Sequence, residues 1–416
     1  MASATVSRLG LVFGLVLLLL TACTAPTPSS TLTTIDTVTD PLGIVVVEQG
    51  LPIRIAALLT TSGATAPLGL DAIGGIEIAL AERNNTLLGH PIDLVTLDSA
   101  CTAAGGAAAA RDLLAVQGVV GVIGTSCSSA AIEALPIIST AGLLMISPSN
   151  TAPSLTDPEQ NWQPGYYRTI YNDLEQGRVA ARFAFEQLGA RTAATIHDGS
   201  PYAEQLQQVF AESFTAFGGR ITRQEVIAPG DVDMTAVLNS IAVTPPNLIY
   251  LPIFEPEGPV VIQQARSLPA LTNTALMSAD ALLNDNLPRT LGTSALNLYL
   301  SGPSVRGDRY DQFLAQWNAT YRLPPAASFH AFAYDATNIL LAAIETAAVQ
   351  QPNGRLLIGR QALRDALTAT QNFPGLTGPI TCSPTGNCGA AGAIAIYQIT
   401  QSELAGNWPP PPLWSP

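Results

Sequence analysis

The sequence predicts an α/β fold made of two doubly wound halves, each with a parallel sheet covered by helices. Two observations carry this prediction. Short apolar segments alternate with helical segments of about 10–15 residues, and this alternation starts at Pro52 and starts again after "TIYNDLEQ". The chain is also too long for one compact core, because about 370 of its 416 residues follow the N-terminal segments.

In the first half, each apolar run of strand length is followed by a stretch with helical spacing. The predicted strands are "IRIAALL", "PIDLVTLDS", "GVVGVIG" and "LLMIS". The predicted helices between them are "LDAIGGIEIALAERNN", "AAGGAAAARDLLAV" and "SAAIEALPIIST". Parallel strands need crossover connections of this length, so the order predicts consecutive βαβ units.

The second half repeats the pattern with its own strands and helices. The predicted strands are "TAATIHD", "ITRQEVI", "NLIYLPI" and "TALMSAD". The predicted helices are "GRVAARFAFEQLG", "YAEQLQQVFAESFTAFG", "DMTAVLNSIA" and "GPVVIQQARSL". Two helices, "RYDQFLAQWNATYR" and "AFAYDATNILLAAIETAAV", and a cysteine-containing hairpin ending in "AIAIYQIT" follow. We expect these late elements to pack back onto the two halves.

The N-terminus predicts export. Arg8 precedes the apolar run "LGLVFGLVLLLL" and the small residues "TAC", which is typical of a signal peptide over residues 1–22 and too short for a spanning helix. "LTAC" resembles a bacterial lipobox, which predicts that Cys23 becomes the lipidated mature N-terminus. The alternative is an ordinary secretory signal in which Cys23 has no role. Residues 23–50 are predicted to form a tether, rich in Thr, Pro and Ser.

The composition limits the kinds of partner that the chain is expected to bind. Only 12% of the residues are charged, the formal net charge is −13, and no basic cluster occurs, so we expect no nucleic-acid partner. No second apolar stretch reaches spanning length, so we expect the chain to contact the membrane only through its lipid.

Four cysteines remain once Cys23 is set aside, an even number in an oxidising compartment. Cys382 and Cys388 flank the turn-rich "SPTGN" and are predicted to close a small loop. Cys101 and Cys127 would then close a loop that adds about 3–4 kcal/mol in the chain-entropy model. The alternative is four free buried thiols. A metal site is not expected, because no histidine lies within metal-ligand spacing of a cysteine.

In an open α/β sheet, ligands bind beyond the carboxyl ends of the strands. Nearly every candidate polar group falls in a loop after a predicted strand. These loops are Thr60–Gly69, Asp98–Cys101, Gly124–Ser129, Ser147–Thr151, His197–Tyr202, Ile253–Gly258 and Ser278–Asp280.

A hydrolase is one interpretation of "GTSCSS". A nucleophile elbow has the pattern G-x-S-x-G, and Gly124 and Ser126 match its first half, but Ser128 stands where the second glycine belongs. His197 ends a predicted strand and has only the adjacent Asp198 as an acid–base partner. The pattern therefore disfavours an enzyme.

The same loops fit a binding site better. Ser128 lies at the start of a predicted helix, where free amides and the helix dipole favour a carboxylate, although it could serve only as the helix cap. Ser149 and Thr151 add hydroxyls after the next strand. Asp280 supplies a carboxylate suited to an ammonium group, with a helix-cap role as the alternative. Two rings at further loops, Tyr202 and Phe254, complete a site for an α-amino acid.

Several longer segments resemble one family. "VIGTSCSSAAIEALPIISTAGLLMISPSNTAPSLT", "IHDGSPYAEQ" and "FEPEGPVVIQQAR" occur in the order in which similar segments occur in type I periplasmic binding proteins of the Leu/Ile/Val type. These are the substrate-binding proteins of branched-chain amino-acid ABC transporters. The resemblance extends from about Ile53 to the C-terminus, and it places Cys101 and Cys127 where such proteins have a disulfide.

The resemblance also implies roles for individual residues. Ser128 and Thr151 match positions that take the substrate carboxylate, with Ser149 contributing its backbone. Tyr202 matches a tyrosine that lines the cleft, and Asp280 lies where the family has a glutamate that pairs with the ammonium group.

Three positions depart from the family pattern. Asp280 is one methylene shorter than glutamate, Phe254 stands where a tyrosine is common, and Leu68 stands where an aromatic residue often covers the ligand side chain. The departures leave the ligand open among branched-chain and other uncharged amino acids, with amides, urea or short peptides as alternatives.

The resemblance implies two lobes joined by three hinge crossings that close around the ligand. Lobe I is expected to comprise residues 51–170 and about 304–380, and lobe II about 171–303 and 381–416. The expected function is non-enzymatic delivery of an amino acid to ABC permease subunits, by a monomeric extracytoplasmic lipoprotein that needs no cofactor. The alternative is a ligand-sensing receptor module of the same fold.

Overall fold

The structure is a computed structural model, and it describes residues 38–389 and 393–416. Within this part the strands, in chain order, are β1 (Ile44–Val47), β2 (Ile53–Leu59), β3 (Thr86–Leu87), β4 (His90–Asp98), β5 (Val119–Gly124), β6 (Met145–Ser147), β7 (Tyr166–Arg168), β8 (Thr192–His197), β9 (Arg220–Val226), β10 (Leu248–Tyr250), β11 (Ala275–Ser278), β12 (Tyr299–Pro303), β13 (Ala348–Gln350), β14 (Leu356–Gly359), β15 (Phe373–Pro374), β16 (Pro379–Ile380), β17 (Ile394–Gln398) and β18 (Pro412–Trp414).

The helices of the same part are α1 (Ala66–Glu82), α2 (Ala103–Ala115), α3 (Ser128–Thr140), α4 (Asp173–Arg182), α5 (Pro201–Ala216), α6 (Thr235–Ala242), α7 (Glu257–Ser267), α8 (Asn286–Leu291), α9 (Asp308–Tyr321), α10 (His330–Ala347), α11 (Arg360–Thr368) and α12 (Gln401–Leu404). No helix in the described ranges is long and apolar enough to cross a membrane.

Two large sheets organise the chain, and they confirm the predicted α/β class. The first has the order β3-β4-β2-β5-β6-β7 and the second the order β18-β17-β12-β11-β10-β8-β9. From β4 to β7 the neighbouring strands are parallel, and so are those from β9 to β12. Only the strands at the margins, β3, β17 and β18, run antiparallel to their neighbours.

Both parallel cores have the same doubly wound order, in which the second strand lies on one side of the first and the third on the other. The order reverses between β2 and β5 in the first sheet and between β8 and β10 in the second. A crevice forms beyond the carboxyl ends of the strands at such a reversal, and ligands bind there. Each half therefore supplies one wall of a site.

The described residues show two of the three expected passages of the chain between the halves. The first passage lies between β7 and α4, and the second between β12 and α9. Helices α9, α10 and α11 return to the first half, where α10 packs along α1. Strands β17 and β18 then extend the second sheet.

Two segments differ from the predicted boundaries. β1 lies within the segment predicted to be a tether up to residue 50, yet it pairs with β14 and buries Val45 and Val47. The loop closed by Cys382 and Cys388 was expected in the second half. Its Asn387 instead pairs with Arg168 at the edge of the first sheet, beyond β7. Both predicted disulfides, Cys101–Cys127 and Cys382–Cys388, are present.

Close helix packing in the first half depends on Gly75 of α1. A Cβ atom at this position would lie 2.0 Å from the His330 carbonyl oxygen of α10. The glycine thus lets α1 and α10 approach closely, at the point where α10 begins beside the site.

We expect Gly75→Ala to destabilise the fold by about 2 kcal/mol through overpacking. In a helix without such a close contact, replacing glycine by alanine would stabilise the fold by roughly 0.5–1 kcal/mol. A destabilising effect would therefore show that the contact between α1 and α10 is present. Urea unfolding measures it. Leu70→Ala is the matched control, because Leu70 lies in the same helix with 53% of its surface exposed and should change stability by less than about 0.5 kcal/mol. A stabilised Gly75→Ala protein would contradict the packing argument.

Candidate ligand-binding site

The first half builds its wall from the loops after β2, β5 and β6. Leu68 lies in the first turn of α1, and Ser128 is the first residue of α3, whose N-cap is Cys127 rather than a serine. The Ser128 hydroxyl accepts a hydrogen bond from the Ala152 amide at 3.3 Å. Ser149 donates its hydroxyl to the Ser126 carbonyl oxygen at 2.9 Å, which ties the two loops together.

The second half builds the opposite wall from the loops after β8, β10 and β11. Tyr202 lies in the first turn of α5, and Phe254 follows β10. Their rings are in contact, with centroids 4.9 Å apart. Asp280 follows β11 and opens a short 3-10 turn whose N-cap is Ala279, so it does not cap that turn.

Six of the seven predicted residues line one cavity, and Thr151 does not. The lining comprises Leu68, Ser126, Cys127, Ser128, Ser149, Tyr202, Phe254, Asp280, Ala281 and Phe329. The cavity volume is about 10 Å³, roughly that of one water site. An amino acid can enter only if the walls separate, and a hinge between the halves supplies that motion.

Asp280 supplies the carboxylate of this cavity, and three side chains donate hydrogen bonds to it. Its Oδ1 accepts hydrogen bonds from the Tyr202 hydroxyl at 2.6 Å and the Gln176 amide at 3.0 Å, and its Oδ2 accepts one from the Tyr171 hydroxyl at 3.4 Å. Burial raises the pKa of Asp280, and these donors counteract the rise. Burial and the neighbouring Asp280 charge raise the pKa of the Tyr202 hydroxyl well above its usual value.

A second buried carboxylate, Asp173, was missed by the sequence analysis. It is fully buried at the start of α4, and within the described residues no hydrogen bond of normal geometry reaches either of its oxygens. Burial and then repulsion from Asp280 raise its pKa well above the usual range, while Thr151 and Arg168 act to lower it. Asp173 follows β7, so it too lies beyond the carboxyl end of a strand. The short sequence "YYR" of β7 gave no clear strand signal.

Arg168 stabilises the first wall from behind. Its buried guanidinium donates hydrogen bonds to the carbonyl oxygens of Asn150 and Ala152, and to the side chains of Thr156 and Asn387. Burial lowers the pKa of this arginine. It therefore holds the loop after β6 and acts electrostatically on Asp173.

Among the described residues, the lining carries carboxylate and hydroxyl groups but no cationic side chain. The three histidines also lie apart from the serines. His197 accepts a hydrogen bond from the Gly199 amide, His90 bonds two carbonyl oxygens, and His330 bonds Asp71 and Tyr310. No cluster that could hold a metal ion occurs among the described residues. The cavity is therefore equipped for a zwitterion or another ligand with a cationic group.

The two walls also meet outside the cavity. The Gln205 side chain of α5 accepts a hydrogen bond from the Ser154 amide at 3.1 Å and donates one to the Ser154 hydroxyl at 3.1 Å.

A wider cleft of about 740 Å³ lies on the other side of Phe254. It is lined by the carboxylates of Asp198, Glu255 and Glu257 and again by no cationic side chain.

The match to a family model decides the classification, because residues 52–403 match the model described as periplasmic binding protein. The chain belongs to this family. Members are extracytoplasmic solute-binding proteins rather than enzymes, which confirms the expected class. The Leu/Ile/Val-binding protein BraC3 of Rhizobium johnstonii is 26% identical over 339 residues, which cover 80% of this chain and 88% of that protein.

Solved structures agree with this assignment. The leucine binding protein LivK from Thermotoga maritima has a TM-score of 0.75 and 26% identity, covering 84% of this chain and 95% of that one. A solute binding protein from R. palustris in complex with benzoate has a TM-score of 0.73 and covers 88% of this chain and 96% of that one. At 22% identity, that second likeness concerns the fold alone.

Proposed function

We propose that this periplasmic binding protein takes up an uncharged α-amino acid with an aliphatic side chain and delivers it to the permease of an ABC importer. The observation that carries the proposal is the position of Asp280 opposite the start of α3 in one cavity that contains no cationic side chain. A ligand carboxylate and ammonium group would each meet a complementary partner. BraC3 and LivK are named for binding such amino acids.

The carboxylate would bind at the start of α3. Free amides and the positive end of the helix dipole favour an anion there, and α3 is 13 residues long. The hydroxyls of Ser128 and Ser149 lie beside these amides. Thr151 is buried behind the lining with its hydroxyl free of hydrogen bonds of normal geometry, so a small movement of its loop could bring it to the ligand.

The ammonium group would bind between Tyr202 and Asp280, with Asp173 behind them. Asp280 carries the direct interaction, and Asp173 adds a second buried carboxyl whose ionised form the ammonium group would favour. This pair discriminates against ligands such as benzoate, which has a carboxylate but no ammonium group.

The ligand side chain would lie among Leu68, Phe254 and Phe329. These apolar walls favour aliphatic groups, because burying a charged side chain without a partner is strongly unfavourable. Phe254 carries no hydroxyl, so the wall offers no polar contact at that position. Polar amides, urea and short peptides are weaker candidates for this reason.

The proposal also covers attachment and assembly. The predicted signal peptide, lipobox and Cys23 lie outside the described residues; the n-region, apolar run and "LTAC" of the sequence support lipidation. Because both walls of the site come from one chain, a monomer suffices for binding. The partner of the closed form distinguishes the two functions: an ABC permease indicates transport, and a sensory receptor indicates sensing.

A thermal-shift screen over the twenty amino acids, amides and urea identifies the ligand. We expect leucine, isoleucine or valine to raise the melting temperature, since a ligand at a hundred times its dissociation constant adds about 2.7 kcal/mol to stability. If only urea or simple amides shift the transition, the amino-acid assignment is wrong.

We expect Asp280→Asn to weaken amino-acid binding at least about a hundredfold, because the ammonium group loses its buried anionic partner. Isothermal titration calorimetry measures the affinity. Asp311→Asn is the control, since Asp311 is exposed on α9, and it should bind like the unaltered protein. Unchanged affinity in Asp280→Asn would exclude the ammonium assignment.

We expect Ser128→Ala to weaken binding only about tenfold, because the backbone amides of α3 still meet the carboxylate. The same titration detects it. A complete loss of binding with an intact fold would mean that the hydroxyl, rather than the helix start, holds the carboxylate.

Ligand binding should release protons. The raised pKa values of Asp173 and Asp280 mean that the free cavity retains protons above the ordinary aspartate range, and an arriving ammonium group would displace them. Affinity should thus fall as the pH is lowered and these carboxyls become protonated. Titration in buffers with different ionisation enthalpies measures the released protons, and proton uptake would contradict this picture.

A further inference from the structure

A second cavity lies at the hinge, back to back with the proposed ligand site. The segments 280–283 and 327–330 form a wall that both cavities share. Asp280, Ala281 and Phe329 face the ligand site, whereas Leu283, Ala327 and Ser328 face the hinge cavity. The hinge cavity has a volume of about 430 Å³.

The walls of the hinge cavity come from both halves and from the passage between them. The second passage contributes Ser304, Val305 and Arg306, the first half contributes Tyr310 and Leu314, and the second half contributes Tyr397 with the prolines before β18. A molecule in this cavity would therefore contact both lobes and the connection that bends when they move.

The charge in this cavity is opposite to that of the ligand site. None of the residues that line it in the described part of the chain is acidic, and the exposed guanidinium of Arg306 faces it. The one hydrogen bond described for that guanidinium goes to the Ser415 hydroxyl at 3.3 Å. In a chain with a net charge of −13, such a cavity is a distinct local environment.

The remaining lining is apolar with a few fixed polar groups, which is typical of small-molecule sites. Six prolines and two leucines are among the seventeen lining residues. The Tyr310 hydroxyl is held by the buried His330 ring at 2.7 Å, and the Tyr397 hydroxyl donates to the Pro303 carbonyl oxygen. Ser304, Asn318 and Ser328 add uncharged polar groups, and Arg306 supplies the guanidinium that can pair with a ligand anion.

We propose that the hinge cavity is a second binding site, which takes a monocarboxylate with an apolar body. The carboxylate pairs with Arg306, and the apolar body fills the space between the proline-rich wall and Leu314. Guanidinium–carboxylate pairs of this kind are directional and charge-assisted. The binding itself is independent of the proposed amino-acid function.

Occupancy of this site would weaken amino-acid binding. The ligand cavity needs its walls to move apart to admit an amino acid, and the hinge cavity is the space behind segments 280–283 and 327–330. A carboxylic acid bound in the hinge cavity opposes the movement of these two segments away from the ligand site. This linkage, unlike the site itself, rests on the proposed function and must be reciprocal.

Phenylacetate is a suitable probe, with phenylacetamide as its uncharged counterpart. We expect phenylacetate to bind the full mature chain in ligand-observed NMR and calorimetry, and Arg306→Gln to weaken that binding at least about tenfold. Arg111→Gln is the control, since Arg111 is exposed on α2 and lies outside the hinge cavity. Phenylacetamide should bind more weakly than phenylacetate.

The Asp280→Asn variant distinguishes phenylacetate binding in the hinge cavity from phenylacetate binding in the ligand site. Phenylacetate binding that persists in Asp280→Asn and is lost in Arg306→Gln supports the hinge site. Absence of binding at millimolar concentration, equal binding by Arg306→Gln, or dependence on Asp280 overturns it. Saturating phenylacetate should lower amino-acid affinity about fivefold; unchanged or increased affinity refutes the linkage. A chain that binds phenylacetate through Arg306 but no amino acid refutes only the proposed function.

Discussion

The burial of two carboxylates next to each other is the constraint on which the site depends. Taking a charged carboxylate out of water costs several kcal/mol unless hydrogen bonds or an opposite charge compensate. Asp280 receives three donors, from Tyr171, Gln176 and Tyr202, whereas Asp173 has no hydrogen bond of normal geometry in the described residues. Burial raises the pKa of both carboxyls, and a cationic group bound beside them would favour their ionised forms.

A third buried carboxylate, Asp71, organises the shared wall. It lies in α1 and accepts hydrogen bonds from the backbone amides of Ala327, Phe329 and His330 and from the His330 ring. These bonds fix the chain just before and at the start of α10. Phe329 is thereby turned to the ligand cavity and Ala327 to the hinge cavity. Gly75 allows the same approach of α1 and α10, so one helix contact determines the geometry of both cavities.

The sequence was sufficient to predict the fold class because its information is local and repeated. Alternating strands and helices in two rounds predict two doubly wound sheets, and the strand-end rule then selects the loops that bring Leu68, Ser128, Tyr202 and Asp280 together. β7, β12 and β14 were not among the predicted strands, although the equally short β6, β10 and β11 were. The "YYR" of β7 ends in a charged residue and gave no apolar run of strand length. Missing β7 removed Asp173 from the candidate residues.

Other features depend on contacts between residues far apart in the chain. The pairing of β1 with β14 joins segments more than 300 residues apart, and no local pattern in "GIVVV" distinguishes a strand from a tether. The position of Arg306 opposite the proline-rich C-terminal segment arises in the same way, because the two lie far apart in the chain and meet only in the folded structure.

The two cavities differ in the sign of their charge because they use different parts of the same topology. The ligand site collects the carboxyl ends of strands from both sheets, where aspartates and helix starts converge. The hinge cavity lies where the chain leaves β12, on the other face of the same wall, and there Arg306 meets apolar surface. Any displacement of the segments 280–283 and 327–330 that enlarges one cavity must be accommodated by the other. On the proposal made above, a hinged receptor built in this way would be sensitive to what occupies the back of its ligand site, because segments from both halves form the shared wall.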